Sequence, residues 1–195
     1  HPSNKISYRE KIRKQLGIPE SSVLILFVGS GFERKGLKFL LQSTKHLKDR
    51  DWHLLLMGKG NFGKFLKYAP TEKRNQIIAK APDPEIEKYY AAADIFILPS
   101  IYEPFGNANL EALATGLPVI TTKYCGAANI IDHKKNGLVV ENPYHPEEIA
   151  EKINFLFDPS TRETMGENGR ELAEQFPFKR NNSEMLEIYN SLIST

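Results

Sequence analysis

Glu103 and Glu111, separated by seven residues, bracket the turn Pro104-Phe105-Gly106-Asn107. That turn follows the strand-like run Asp94-Ile95-Phe96-Ile97-Leu98 and is expected to open a helix. In a parallel α/β sheet, ligands bind at such strand-to-helix turns, outside the carboxyl ends of the strands. Backbone N–H groups at the helix N-terminus attract an anion, and the flanking carboxylates can accept hydrogen bonds from hydroxyls. An anion held beside hydroxyls is the chemistry of a nucleotide sugar. The plainer alternative is a surface loop with one solvated and one helical glutamate.

A cationic segment, Arg34-Lys35-Gly36, stands just beyond another apolar run, Val23-Leu24-Ile25-Leu26-Phe27-Val28. At a strand's carboxyl edge, a planar guanidinium and an ammonium point charge suit the two phosphates of a diphosphate. Gly29-Ser30-Gly31 invites comparison with the dinucleotide fingerprint, but Arg34 takes the place of the third glycine. The next strand ends in Met57-Gly58, without the acidic residue that would hold an NAD ribose. Gly29 and Gly31 instead let the backbone pass close to a ligand or partner domain. Paired carboxylates also serve glycosidases, where they flank a scissile bond, yet a hydrolase has no use for the Arg-Lys site. With Arg34 and Lys35 supplying positive charge and no His/Cys cluster at ligand spacing, neither a metal nor a cofactor is expected. His46, His53, His133 and His145 are scattered, as surface or structural residues are. Cys125 reads as a packing residue rather than a nucleophile. Tyr89, Tyr90, Phe96 and Phe105 read mainly as core, with Phe105 also a candidate to line a sugar pocket.

These motifs need a scaffold, and the chain has the length for one. At 195 residues it suits a single domain with a substantial core. A net charge of +2 gives no reason to expect a nucleic-acid partner, and a pI near 8.5 is compatible with anionic ligands or a membrane surface. One cysteine allows no internal disulfide, in keeping with a reducing cytoplasm. No apolar run approaches the ~18 residues of a membrane span. Apolar runs at 23–28, 52–57, 76–79, 95–98, 117–121 and 138–140 predict strands. Between and after them, helical spacing predicts helices at 35–47, 62–74, 85–93, 127–132, 146–156, 161–175 and 180–193. Strands alternating with helices imply an α/β, Rossmann-like parallel sheet with helices on both faces and a C-terminal helical tail. The expected organisation is a linker or first helix at 1–20, a nucleotide-sugar-binding domain at 21–178, and a C-terminal helix at 179–195.

The Glu103–Glu111 motif with its Gly116-Leu117-Pro118-Val119-Ile120 tail, together with Arg34-Lys35-Gly36, resembles the retaining GT-B glycosyltransferases, the glycosyl transferases group 1 family. The resemblance runs from position 23 to about 189 and is to the C-terminal, donor-binding domain. It implies that Arg34 and Lys35 bind the donor pyrophosphate, that Glu111 accepts hydrogen bonds from ribose hydroxyls, and that Glu103 contacts hydroxyls of the transferred sugar. It further implies that the backbone of Pro104, Phe105, Gly106 and Asn107 approaches the sugar and distal phosphate. Gly31 to Gly36, Ala91-Ala92-Ala93-Asp94 and Cys125-Gly126-Ala127-Ala128 resemble most the lipopolysaccharide core glucosyltransferase subfamily. That subfamily moves glucose from UDP-glucose with retention of configuration, at the cytoplasmic face of the inner membrane.

There are departures. Asn129 stands where many members carry a glutamate, and Tyr124-Cys125-Gly126-Ala127 differs from the Thr-Gly-Gly-Leu of glycogen and starch synthases. Asn107 is expected to cap its helix with its side chain; Asn109 is left open. The chain starts at His1-Pro2 rather than at methionine, and the expectation is a fragment. The acceptor, a glycan or lipid-linked glycan, is therefore expected on an N-terminal domain outside it. Donor binding without transfer is expected of the chain itself, with peripheral membrane contact in the whole protein. Two other readings share the fold: a nucleotide-binding regulatory module, and a nucleotide-sugar epimerase.

Overall fold

The computed structural model describes residues 4–176. The expected helix at 180–193 lies outside them. The element order is α1 (Lys5–Leu16), β1 (Val23–Val28), α2 (Leu37–Ser43), β2 (Trp52–Met57), α3 (Gly63–Leu66), β3 (Ile77–Lys80), α4 (Ile86–Ala92) and β4 (Ile95–Leu98). It continues with α5 (Asn107–Ala114), β5 (Val119–Thr122), β6 (Gly137–Val140), α6 (Pro146–Phe155) and α7 (Pro159–Ala173).

Six parallel strands lie in the order β3-β2-β1-β4-β5-β6. The central strands carry few polar side chains because both faces are covered. Val23 through Phe27 and all four residues of β4 are buried. Register joins Val23 to Trp52 and Val28 to Met57 on one side of β1, and Ile25 to Ile95 on the other. Right-handed crossovers place the helices that follow β1 and β2 on one face and those that follow β3 and β4 on the other. Accordingly α2 packs with α3 and α6, while α1 packs with α4 and α5 with α7. The α/β class, the parallel sheet and its two helical layers agree with the sequence expectation.

The order reverses between β1 and β4: from β1 the chain winds outward to β3, then returns to β4 and winds the other way. At such a switch point the loops leaving two neighbouring strands part and open a crevice. Both motifs emerge there.

Three local differences have physical causes. The helix expected at 62–74 is two pieces, because Pro70 is extended (φ −54°, ψ 141°) and separates α3 from a 3₁₀ segment at Thr71–Gln76. The segment after β5 is a 3₁₀ turn, Gly126–Ile130. The last described helix starts earlier than expected, at Pro159, because Asp158 caps it: its carboxylate accepts from Thr161 N at 2.8 Å.

Beneath the sheet's amino edge, Arg13 is 1% exposed and ties α1 to the body. Its guanidinium donates to the carbonyls of Ala92, Pro19 and Ser22 and, at 2.5 Å, to Asp94 Oδ2. The same carboxylate accepts from Leu24 N at 2.7 Å, and its other oxygen pairs with Arg9 at 3.0 Å. Every polar group of the cluster has a partner, the condition for burying charge.

Candidate functional site

Three loops form the carboxyl edge of the crevice, and backbone hydrogen bonds fasten them together. The loop after β1 meets the loop after β4 where Ile101 N donates to Arg34 O at 2.8 Å and Arg34 Nη1 to Tyr102 O at 2.9 Å. Gly36 sits so tightly against Pro99 that an added Cβ would fall 2.0 Å from its carbonyl oxygen. The loop after β4 meets the loop after β5 through Glu103 N to Tyr124 O (3.1 Å), Gly126 N to Glu103 O (3.0 Å) and Ala127 N to Phe105 O (2.9 Å). At Gly126, likewise, a Cβ would lie 2.0 Å from Pro104 O.

Within this frame three of the predicted residues, Arg34, Lys35 and Glu103, come together. Glu103 Oε2 accepts from Arg34 Nη1 at 2.8 Å and from the Lys35 ammonium. Lys35 and Glu103 side chains are only 11% and 12% exposed, whereas Arg34 is 47% exposed. The Lys35 stem runs over Gly29, whose missing Cβ would lie 3.4 Å from Lys35 Cε. Gly31 adopts φ +74°, the left-handed turn that a side chain disfavours. Burial pushes the Glu103 carboxyl up, but Lys35 and then Arg34 outweigh it and hold it below the usual carboxylate range.

The turn into α5 is made by Gly106 at φ +82°. Asn107 is the first helical residue, exposed, and its side chain makes no cap; the expectation of a capping Asn107 is corrected. Gly106 fills the N-cap position, where only backbone is offered. Among the described residues no acceptor reaches the N–H of Asn107 or Ala108, so the first turn of α5 keeps two unpartnered donors. Asn109 turns inward instead: it is fully buried, and its Nδ2 donates to Cys125 Sγ at 3.3 Å. The Cys125 thiol donates to Phe105 O at 3.0 Å, in agreement with a packing role. Pro104 is exposed and Phe105 half-buried beside this turn.

Glu111 lies one turn along α5, exposed, with one oxygen accepting from Tyr90 Oη at 2.9 Å. Burial, then the Glu111 charge, drive the Tyr90 phenol's pKa far upward, so it acts as a donor. Sequence reading assigned Tyr90 only to the core. Its second role had no local signal, since the partners are 21 residues apart.

Asn129 is exposed in the 3₁₀ turn after β5. An Asp-x-Asp triplet, Asp49-Arg50-Asp51, precedes β2 and so belongs to the opposite edge of the sheet. Among the described residues no group of three or more His, Cys, Asp or Glu is arranged to hold a metal. No described helix is long and apolar enough to cross a membrane.

Comparison with known proteins matches this geometry. Residues 8–172 match the family described as glycosyl transferases group 1. Over 173 residues the chain is 32% identical to the lipopolysaccharide glucosyltransferase WaaG of Escherichia coli, covering 85% of this chain and 46% of that protein. A crystal structure of WaaG, a glycosyltransferase involved in lipopolysaccharide biosynthesis, superposes with a TM-score of 0.78 over 86% of this chain and 46% of that one, at 32% identity. Anabaena HepE, solved with UDP and glucose, superposes at 0.82 with 25% identity, over 95% of this chain and 52% of that one. The C-terminal domain of a group 1 protein (LpcC) from Francisella tularensis superposes at 0.72 with 27% identity, over 86% of this chain and 92% of that one. The chain spans about half the length of the curated relatives it matches. With the two motifs meeting at the switch point of this sheet, the chain belongs to the glycosyl transferases group 1 family and has the GT-B donor-domain fold.

Proposed function

We propose that the chain is the donor-binding half of a metal-independent, retaining glycosyltransferase that takes UDP-glucose or a related UDP-sugar. One observation carries the reading: Arg34, Lys35 and Glu103 converge in the β1/β4 crevice beside the open first turn of α5. In this reading Arg34, Lys35 and the N–H groups of Asn107 and Ala108 take the diphosphate. Glu111 accepts from the ribose hydroxyls and Glu103 from hydroxyls of the sugar. Gly29 and Gly31 keep the β1 loop low enough for close approach, and Pro104, Phe105, Gly106 and Asn107 run along the sugar.

As the bond to the diphosphate lengthens, negative charge grows on the leaving group while the anomeric carbon becomes cationic. Fixed cations and a helix N-terminus stabilise that charge where it appears. They do so without a metal in this proposal, so EDTA is expected to leave nucleotide affinity unchanged. The UDP complex of HepE supports a uridine nucleotide. Similarity to WaaG supports an acceptor that is a glycan or lipid-linked glycan of lipopolysaccharide or another surface polymer.

The acceptor belongs, in this reading, to a further domain, and the enzyme to the cytoplasmic face of the membrane. Charge distribution favours that face. Positions 34–80 hold 12 Lys and Arg against 3 Asp and Glu, while the rest of the chain holds 14 against 21. Within positions 34–80, Lys45, His46 and Lys67 line, together with Glu147 of α6, a cavity of about 450 Å³.

Calorimetric titration with UDP, GDP, ADP and their glucose derivatives tests the donor assignment. UDP and UDP-glucose are expected to bind with Kd below about 1 mM and GDP and ADP more weakly. Absence of binding by all six, or an unchanged affinity in Glu111→Ala, would sink it.

A further inference from the structure

One oxygen of the site, Glu103 Oε2, holds Arg34 and Lys35 together. A diphosphate that takes these two cations must take them from Glu103. We propose that Glu103 is an internal anion competing with the diphosphate for Arg34 and Lys35, and that this competition lets the site tell an intact sugar donor from the bare nucleoside diphosphate. The inference rests on the donor-site reading above and adds a rule for what that site prefers.

The geometry confines the movement to one side chain. Glu103's backbone is pinned on both sides, its N–H to Tyr124 O and its carbonyl by Gly126 N. Its stem faces Gly106, where an added Cβ would stand 3.0 Å from Glu103 Cγ. Torsion of that stem can lift the carboxylate off the cations without disturbing a loop. The displaced carboxylate is then a largely desolvated charge in need of donors, and leaving it without them is costly. Hydroxyls of a sugar attached to the distal phosphate supply such donors. A bare diphosphate supplies none, so its binding leaves Glu103 uncompensated. Once the sugar has departed, Glu103 returns to Lys35 and Arg34 and weakens the hold on the spent nucleotide.

The test titrates UDP and UDP-glucose into the 195-residue chain, its Glu103→Gln variant and a Glu33→Gln control, with thermal unfolding verifying that each is folded. Glu33 is an exposed carboxylate next to Arg34, so the control reports the general effect of removing negative charge. Expected is UDP binding roughly tenfold tighter in Glu103→Gln, a clearly smaller gain for UDP-glucose, and little change in Glu33→Gln. Equal gains for both ligands, no gain for UDP, or the same gain in the control would refute the competition while leaving the donor site standing. If none of the folded proteins binds either ligand, the donor-site reading falls and the competition with it.

Discussion

Gly126 and Lys35 set opposite limits on the site, one of shape and one of charge. A methyl group at Gly126 would overlap the Pro104 carbonyl, so the β4 and β5 loops would have to part. Gly126→Ala is therefore expected to lower the melting temperature and to weaken UDP binding together, as thermal unfolding and calorimetry would register. Lys35→Ala removes one of two cations, and Glu111→Ala removes the carboxylate proposed to accept from the ribose hydroxyls. Each is expected to weaken UDP binding roughly tenfold or more, with the fold retained by circular dichroism. The types and approximate places of Arg34, Lys35 and Glu103 were legible in the sequence because each sits at a strand-to-helix turn marked by glycine, and Glu111 follows one turn into the helix that such a turn opens. Their pairings were not. Glu103 meets its cations across 68 and 69 positions, and nothing local distinguishes Asn107, facing out, from Asn109, facing in. Gly106 decides that, because its left-handed φ fixes where the helix starts and hence the phase of every residue after it.

Among the elements, those with the strongest burial pattern were the easiest to read. β1 is a run of six apolar residues with no alternative but a strand covered on both faces. The region 62–76 carries a weak helical pattern with a proline inside it, and the proline prevails. α7 was placed late because its cap, Asp158, acts through side-chain contacts with Ser160 and Thr161 that periodicity does not report. Those hydrogen bonds depress the Asp158 carboxyl from 3.8 to about 2. A depressed acid stabilises the fold above its unfolded pKa and loses that contribution as pH falls through the folded one. Asp158→Ala should thus melt lower than wild type at neutral pH, with the gap closing between pH 3.8 and about 2. At the other end of the chain, α1 depends on Arg13. Arg13→Leu removes the side-chain donor of the Pro19 and Ser22 carbonyls and one of two donors to Ala92 O and to Asp94 Oδ2, and should cost about 3 kcal/mol in urea unfolding.

For the molecule as a whole, the crevice has one wall among the described residues. In the proposed reading the loops after β1, β4 and β5 take the donor, and no described element stands opposite them. The 195-residue chain is expected to bind UDP-glucose yet to release no transferred sugar when mixed with deacylated lipopolysaccharide core; product formation measured by mass spectrometry would contradict this. The layout of the fold also has a consequence for how the chain is made. Arg13 and its partner Asp94 are 81 positions apart, and Leu24 N, in the strand at the middle of the sheet, waits for that same carboxylate. During synthesis at ~5–20 residues per second, α1 waits roughly 4–16 s, and β1 slightly less, for the aspartate that fastens them. For that interval α1 and the apolar β1 lack the contact that fastens them, so slowing synthesis while the residues between Arg13 and Asp94 emerge should lengthen their exposure.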